Sequence, residues 1–531
     1  MKKIILSGVL LLLLLGFIGC TETTTAPDFS STYPDNRVFY EIFVRSFADS
    51  DQDGIGDFNG ITAKLDYLSS LGVETLWLMP IHPASSYHGY DVTDYYDVNS
   101  DYGTMADFEN LVATAANYGI EIMIDFVINH TSSQHPWFQA ALEGDSTYKN
   151  YYNFVPASTN TLGLLGSWYQ TIWHTAGNEK YVGYFNSSMP DLNMTNTDVN
   201  QMILDVAKFW IDKGVKGFRV DAAQHLFGKN EYLSMTYTYQ ANISFLQVLT
   251  QQIKDYDEDV FIIGEIYEES DFRMLSEYYD AFDAPIDFPS ASRISKSFTK
   301  ESNAAYVAVL NNVYKAYAEI NPDFIAMPFI TNHDMDRPAS FNGVTDEELR
   351  LAAEMLLTLP GNPILYYGEE LGMKGVKAQG PTIWDETRRL EFLWGDDYQC
   401  DWVDSLSATL AQLRLDNAEI ATAYEQQADA NSLFSHYQNL IQLRNANMAL
   451  KYGNSFSPYE DNTEHIQGFY RSFTSGEWSQ NVLVIHNFGS ADYDISDIDG
   501  TILYLSNNDD FDDITLLPSK STVIFEVNEG E

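Results

Sequence analysis

The chain has 531 residues, with 76 Asp and Glu against 29 Lys and Arg, a formal charge of −47, 45% hydrophobic residues and 14% aromatic residues. That apolar content excludes a disordered chain, and the acidic excess excludes DNA, RNA or an anionic lipid surface as partner, because each needs a basic face. A neutral substrate stays open, and the charge fits either an ordinary acidic surface or one adapted to high salt, where screening relieves self-repulsion.

The N-terminus reads as an export signal. Lys2 and Lys3 precede an apolar run from Ile4 to Ile18, about 15 residues and too short for a comfortable transmembrane helix. It ends in Phe17-Ile18-Gly19-Cys20, which resembles a bacterial lipobox, although that pattern prefers Leu where Phe17 stands. The resemblance makes residues 1–20 a lipoprotein signal peptide, Cys20 the lipidated residue, and residues 21–34 a polar tether. The expected location is outside the cytoplasm, anchored to the cell membrane or surface by lipid alone, with secretion as the alternative. Cys400 is then left without a partner, so no disulfide is expected.

From Arg37 onward, short apolar runs alternate with helical stretches. The runs are VFYEIFV (38–44), VETLWLM (73–79), IEIMIDFV (120–127), GFRVD (217–221), VFIIGE (260–265), YDAFDAPI (279–286), FIAMPFI (324–330) and PILYYG (363–368). Continuous hydrophobic runs suit parallel strands buried on both faces. Between them, Ile61, Leu65 and Leu68 recur at helical spacing, as do Ile203, Val206, Ala207, Trp210 and Ile211. Eight such units predict a (β/α)₈ TIM barrel over residues 35–130 and 200–448, with an open doubly wound sheet as the alternative. The long, aromatic-rich gap after the third run predicts a small inserted domain over 131–199. After about residue 448 the pattern alternates in the manner of strands, which predicts a C-terminal antiparallel β-sandwich domain over 449–531.

Chemistry in such a barrel sits at the C-terminal ends of the strands. The third run ends in Asp125, Asn129 and His130, the fourth in Arg219 and Asp221, the fifth in Glu265, and the seventh in Asn332, His333 and Asp334. One Asp after a strand is commonly a helix cap. Cleavage of a glycosidic bond needs a pair of carboxylates, one as nucleophile or base and one as acid, and three carboxylates converging with an Arg and two His rarely meet by chance.

These stretches resemble the α-amylase superfamily of glycoside hydrolases, over about residues 33–531. DFVINH (125–130), GFRVDAAQH (217–225), Gly264-Glu265-Ile266 and ITNHD (330–334) look like the family's four conserved stretches in order, and MPDLN (189–193) like a fifth. The resemblance implies that Asp221 is the nucleophile, held ionised by Arg219, that Glu265 is the acid/base, and that Asp334 supports the distorted ring. A retaining mechanism requires the Asp221 and Glu265 carboxyls roughly 5–5.5 Å apart. His130 and His333 would hydrogen-bond the same sugar. In SSYHGYDVTDYYDV (85–98), Tyr90 would stack on it, with His88 beside it and Asp91 behind.

One metal site is expected and a second stays open. DSDQDGIGD (49–57) places oxygen ligands at alternating positions, which suits Ca²⁺ better than Mg²⁺. It resembles the calcium loop after the first strand of oligo-1,6-glucosidase-like members, with Asp49, Asp51, Asp53, the carbonyl of Ile55 and Asp57 as ligands. In α-amylases proper, the equivalents of Asn129, Asp191 and the His225 carbonyl hold a second calcium. Members without it also keep the Asp, so that site stays open.

MPDLN looks intermediate between the oligo-1,6-glucosidase and neopullulanase motifs. Gln224 stands where many α-amylases hold a Lys that reaches the leaving-group side. The expected activity is retaining endo-hydrolysis of α-1,4 bonds in starch and maltooligosaccharides by a monomer. The alternatives are neopullulanase- or cyclomaltodextrinase-like, debranching, exo-α-glucosidase or 4-α-glucanotransferase activity. From another class, a surface starch binder would have lost a carboxylate, and Asp221, Glu265 and Asp334 all remain.

Overall fold

The computed structural model describes residues 29, 36–235, 238–378, 385–403, 407–507 and 514–528. Cys20, the expected signal and, apart from Phe29, the whole expected tether lie outside them. No described helix is long and apolar enough to cross a membrane.

Strands β1 (Phe39–Ile42), β2 (Thr75–Leu78) and β3 (Glu121–Phe126) lead into the inserted strands β4 (Phe154–Pro156), β5 (Trp173–Ala176) and β6 (Glu179–Val182). The barrel resumes with β7 (Gly217–Val220), β8 (Phe261–Gly264), β9 (Ala284–Pro285) and β10 (Ile364–Tyr366). The barrel strands form one parallel sheet in the order β10-β1-β2-β3-β7-β8-β9. Their side chains are buried on both faces, as the unbroken apolar runs require.

Of the eight expected strands, the seventh differs. Run 324–330 forms no ladder strand and contributes a single parallel bridge, Phe329 to Ile364. The reason is local: Pro328 has no N–H to donate. Backbone bonds still close the ring through this run, because Asp287 N donates to Met327 O (3.1 Å) and Ile364 N to Pro328 O (2.9 Å). Gly361 makes the approach feasible. Its φ is +83°, and a Cβ there would lie 2.0 Å from the Ala326 carbonyl oxygen. The sixth run also shrinks, to Ala284–Pro285, because Glu277–Asp280 turns as a 3₁₀ helix.

The helical stripes pack as their spacing predicts. Ile61, Leu65 and Leu68 are fully buried, although the helix breaks at Lys64 into Phe58–Ala63 and Leu65–Leu71. The helix Thr197–Asp212 buries Ile203, Val206, Ala207, Trp210 and Ile211. The segment after β3 carries a helix its sequence did not suggest, Pro136–Glu143, started by a His135 cap and Pro136 at its first position. It then forms the antiparallel sheet β4-β6-β5.

Strands β11 (Ser457–Pro458), β12 (Ile466–Ser475), β13 (Trp478–Asn487), β15 (Thr501–Leu505) and β17 (Ser521–Val527) make an antiparallel sheet in the order β11-β12-β13-β17-β15. A second, much smaller sheet pairs β14 (Tyr493–Asp494) with β16 (Leu516–Leu517). Glu354 of the barrel helix Asp346–Thr358 accepts hydrogen bonds from Tyr504 (2.7 Å) and Ser506 (2.6 Å), tying this sheet to the barrel.

Candidate active site

Arg219 lies on β7, fully buried, in register with Asp125 on β3. Its guanidinium carries three carboxylates. Nη1 donates to Asp125 Oδ1 and to Asp221 Oδ1, each at 2.6 Å, and Nη2 pairs with Glu265 Oε1 at 3.0 Å. Asp221 and Glu265 therefore hang from the two nitrogens of one rigid fork. The chain leaves β7 through Ala222, which adopts the left-handed conformation (φ 48°, ψ 36°). That turn aims the Ala222 N–H at Glu265 Oε2, 2.9 Å away. A non-glycine residue in this region is strained by about 1–3 kcal/mol and persists only where its surroundings enforce it.

The electrostatics differ from the simplest expectation. Arg219 alone would lower the Asp221 pKa, but burial, together with the charges of Asp125 and Asp334, outweighs it and pushes Asp221 up to about 6. Burial also raises Glu265, assisted by Asp221 and Asp334 and opposed by Arg219. Asp334 goes the other way. Burial would raise it, but His333, Arg389 and Arg219 hold it far below the usual carboxylate range. Arg389 Nη2 donates to Asp334 Oδ1 at 2.8 Å. The site thus holds one firmly ionised carboxylate, Asp334, and a pair whose last proton burial retains, as acid and nucleophile roles require.

Tyr90 stacks against His333 with centroids 5.6 Å apart, and its hydroxyl lies 3.2 Å from Asp125 Oδ2 and 2.8 Å from His333 Nε2. His88 accepts the Tyr90 N–H on Nδ1, and burial pushes it down to about 3. His130 borders the cleft, but its ring nitrogens face Asn129 Oδ1 and the Tyr90 carbonyl, each at 3.0 Å. In this arrangement it positions the Tyr90 loop. Gln224 and His225 also border the cleft, their side chains 3.2 Å apart. Asp91 is buried behind the loop and accepts from Ser86.

The cleft has a volume of about 570 Å³, within the usual range of ligand sites. Residues absent from the sequence expectation help build it. Trp168 from the inserted segment and Tyr267 just after Glu265 line it, both more than half exposed. Arg389 comes from a loop without a motif. Glu41 on β1 does not line the cleft but reaches His333 Nδ1 from below. Only Glu41 left a signal, as a charged residue inside the apolar run 38–44.

The expected metal positions separate. Asp49, Asp51 and Asp57 each offer an oxygen within 4.8 Å of the others. Among the described ion pairs none involves these residues, while backbone amides and Ser50 donate to the carboxylates of Asp49 and Asp57. Asp53 stands outside this trio, its carboxylate accepting from Ile55 N at 2.8 Å. The second set also meets, around a single carboxylate, Asp191. Asn129 Nδ2 donates to the His225 carbonyl (2.6 Å), and Tyr232 OH lies against both that carbonyl (3.0 Å) and Asp191 Oδ2. Asp191 Oδ1 accepts from Tyr184 N. As in the first set, the oxygens a cation would share already accept from protein donors.

Comparison with known proteins agrees with this geometry. The family model "Alpha amylase, catalytic domain" matches residues 41–453. Alpha-amylase 3 of Dictyoglomus thermophilum is 35% identical over 525 residues, covering 96% of this chain and 97% of its own. A 4-alpha-glucanotransferase of Thermotoga neapolitana is 35% identical over 362 residues, covering 66% of this chain and 77% of its own. The crystal structure of the alpha-amylase from H. orenii superposes with a TM-score of 0.81 at 33% identity, covering 93% of this chain and all of that one.

Proposed function

The chain belongs to the α-amylase family of glycoside hydrolases, and on that footing we propose that it cleaves internal α-1,4 bonds of starch and maltooligosaccharides with retention of configuration. The observation that carries the reading is the Arg219 fork, with Asp221 on one nitrogen and Glu265 on the other. Asp221 attacks the anomeric carbon while Glu265 protonates the departing oxygen, and a glycosyl–Asp221 ester forms. Glu265, now ionised, takes a proton from water, which attacks the same carbon and frees Asp221. Asp334, kept anionic by His333 and Arg389, supports the oxocarbenium-like transition state. The exposed rings of Trp168 and Tyr267 offer flat apolar faces to further sugars of a chain.

The relative named 4-alpha-glucanotransferase supports a second reading, in which a sugar hydroxyl replaces water in the second step. A time course on soluble starch, pullulan and maltoheptaose separates the two. Rapid loss of iodine staining with mixed short maltooligosaccharides is expected. Products longer than the substrate, or glucose alone from chain ends, would overturn the endo-hydrolase reading.

Calcium at Asp49, Asp51 and Asp57 belongs to the same proposal. An ion bound only by the folded chain stabilises it. Chelation is therefore expected to lower Tm in the native enzyme and not in the Asp51→Ala variant, and equal Tm changes in both would count against the site. The chain's export as a lipoprotein rests on residues 1–20 alone. Fatty-acid labelling that persists in Cys20→Ala would refute it.

A further inference from the structure

Glu41 sits in the middle of β1, fully buried, opposite Trp77 of β2 on one side and Tyr366 of β10 on the other. A charged residue there has no role in packing. Its Oε1 meets His333 Nδ1, and among the described side-chain hydrogen bonds that imidazole is its one partner. From His333 a chain of polar contacts runs across the floor of the site. Nε2 faces Tyr90 OH (2.8 Å), Tyr90 OH reaches Asp125 Oδ2 (3.2 Å), and Asp125 Oδ1 accepts from the guanidinium nitrogen that also holds Asp221 (2.6 Å).

The donors in that chain can be counted. Both ends are acceptors: the Glu41 carboxylate and Asp125 Oδ2. Tyr90 has one proton to give. If it gives that proton to Asp125, its oxygen must accept from His333 Nε2–H, while Nδ1–H serves Glu41. With Glu41 and Asp125 both ionised, all three contacts are made only when both ring nitrogens carry protons. With a neutral imidazole the Tyr90 proton turns toward Nε2, and Asp125 loses a donor.

We propose that Glu41 is a positioning residue that keeps His333 in its doubly protonated form, so that loss of the ring proton, controlled from β1 beneath the substrate, limits turnover on the alkaline side together with loss of the Glu265 proton. The groups facing His333 are consistent with this. Asp334 Oδ2 lies 3.4 Å from Nε2, Glu41 faces Nδ1, and Asp125 lies behind Tyr90. Arg389, whose Nε donates to the His333 carbonyl, and His88, which burial keeps neutral, complete the surroundings. Burial and Arg389 oppose the imidazolium, and Asp334 and Glu41 outweigh them, raising His333 above its ordinary range. Deprotonation would withdraw the positive charge beside Asp334 and turn the Tyr90 hydroxyl from the carboxylate that shares Arg219 with the nucleophile.

The proposal rests on the cleft being the place of turnover, so the test has an arm that does not. In the kinetic arm, kcat/KM for a chromogenic aryl maltooligoside is followed from pH 5 to 10 in the native enzyme and in Glu41→Gln, which keeps an acceptor for Nδ1–H but no charge. The alkaline limb is expected to move down by about one pH unit or more, with rates at pH 6 within about threefold of the native enzyme. Coincident limbs would overturn the proposal. In the second arm, nitrogen NMR of histidine-labelled native enzyme at pH 8, assigned with His333→Gln, reads the ring directly and applies even if Glu41→Gln fails to fold. Two protonated ring nitrogens are expected, and a neutral tautomer would overturn the proposal whatever the substrate proves to be.

Discussion

Arg219 balances three carboxylates with one charge, and that count governs where the protons sit. Asp125 is buried and doubly served, by Arg219 and by Trp77 Nε1 at 3.2 Å. Asp221 and Glu265 share what remains, and burial favours one proton between them. The nucleophile must be ionised, so kcat/KM is expected to fall about tenfold per unit below pH 6, where Asp221 protonates. A profile flat to pH 4 would contradict that protonation. These residues were legible in the sequence because they sit in compact motifs at strand ends. The upward shift of Asp221 was not, because it depends on how deeply the fold buries the pair. Arg389 was illegible for another reason: it reaches Asp334 from 55 residues away in the chain, through a loop with no periodic signal.

The element that does most to place this chemistry is the turn leaving β7. Ala222 holds a left-handed conformation so that its N–H meets Glu265. Glycine adopts that conformation without strain, and a β-branched residue resists it. Ala222→Gly is expected to keep kcat within about threefold, whereas Ala222→Val should lower it tenfold or more at about 1–3 kcal/mol of lost stability. Equal kinetics and melting curves for both variants would show that the turn is not constrained. At this scale the sequence was a good guide to helices and to six of the eight strands. It failed where sequence and tertiary demands differ. Run 324–330 reads as a strand by composition, yet Pro328 removes the donor a ladder needs. Helix Pro136–Glu143 lay hidden in an aromatic-rich stretch with little period, where its His135 cap was the available cue.

For the whole molecule, buried titratable groups set how stability varies with pH. Burial pushes Asp191 and Glu354 up to about 7 and Glu369 to about 8. In the unfolded chain these protonate near 4, so the folded state binds more protons and their contribution is lost as pH rises from about 4 to 8. Buried histidines act oppositely. His82, His130, His135 and His436 are pushed down to about 4, so their contribution grows with pH and is complete above about 6.5. Above that point the acids act in the same direction as His333, whose raised protonation is also lost as pH rises, and are joined by self-repulsion among 47 excess negative charges. Tm at constant ionic strength is expected to fall between pH 6.5 and 8, and a flat or rising Tm there would contradict these assignments. Glu354 also locates the change, because it ties the C-terminal sheet to the barrel through Tyr504 and Ser506.

The central claim is that Asp221 forms the covalent bond and Glu265 acts on it. The most direct measurement is peptide mapping by mass spectrometry after incubation with a 5-fluoro-α-glycosyl fluoride, which slows release of the intermediate. One glycosyl unit on the peptide carrying Asp221, absent in Asp221→Asn, is the predicted result. A label on another carboxylate, or turnover of the reagent by Asp221→Asn, would contradict the account.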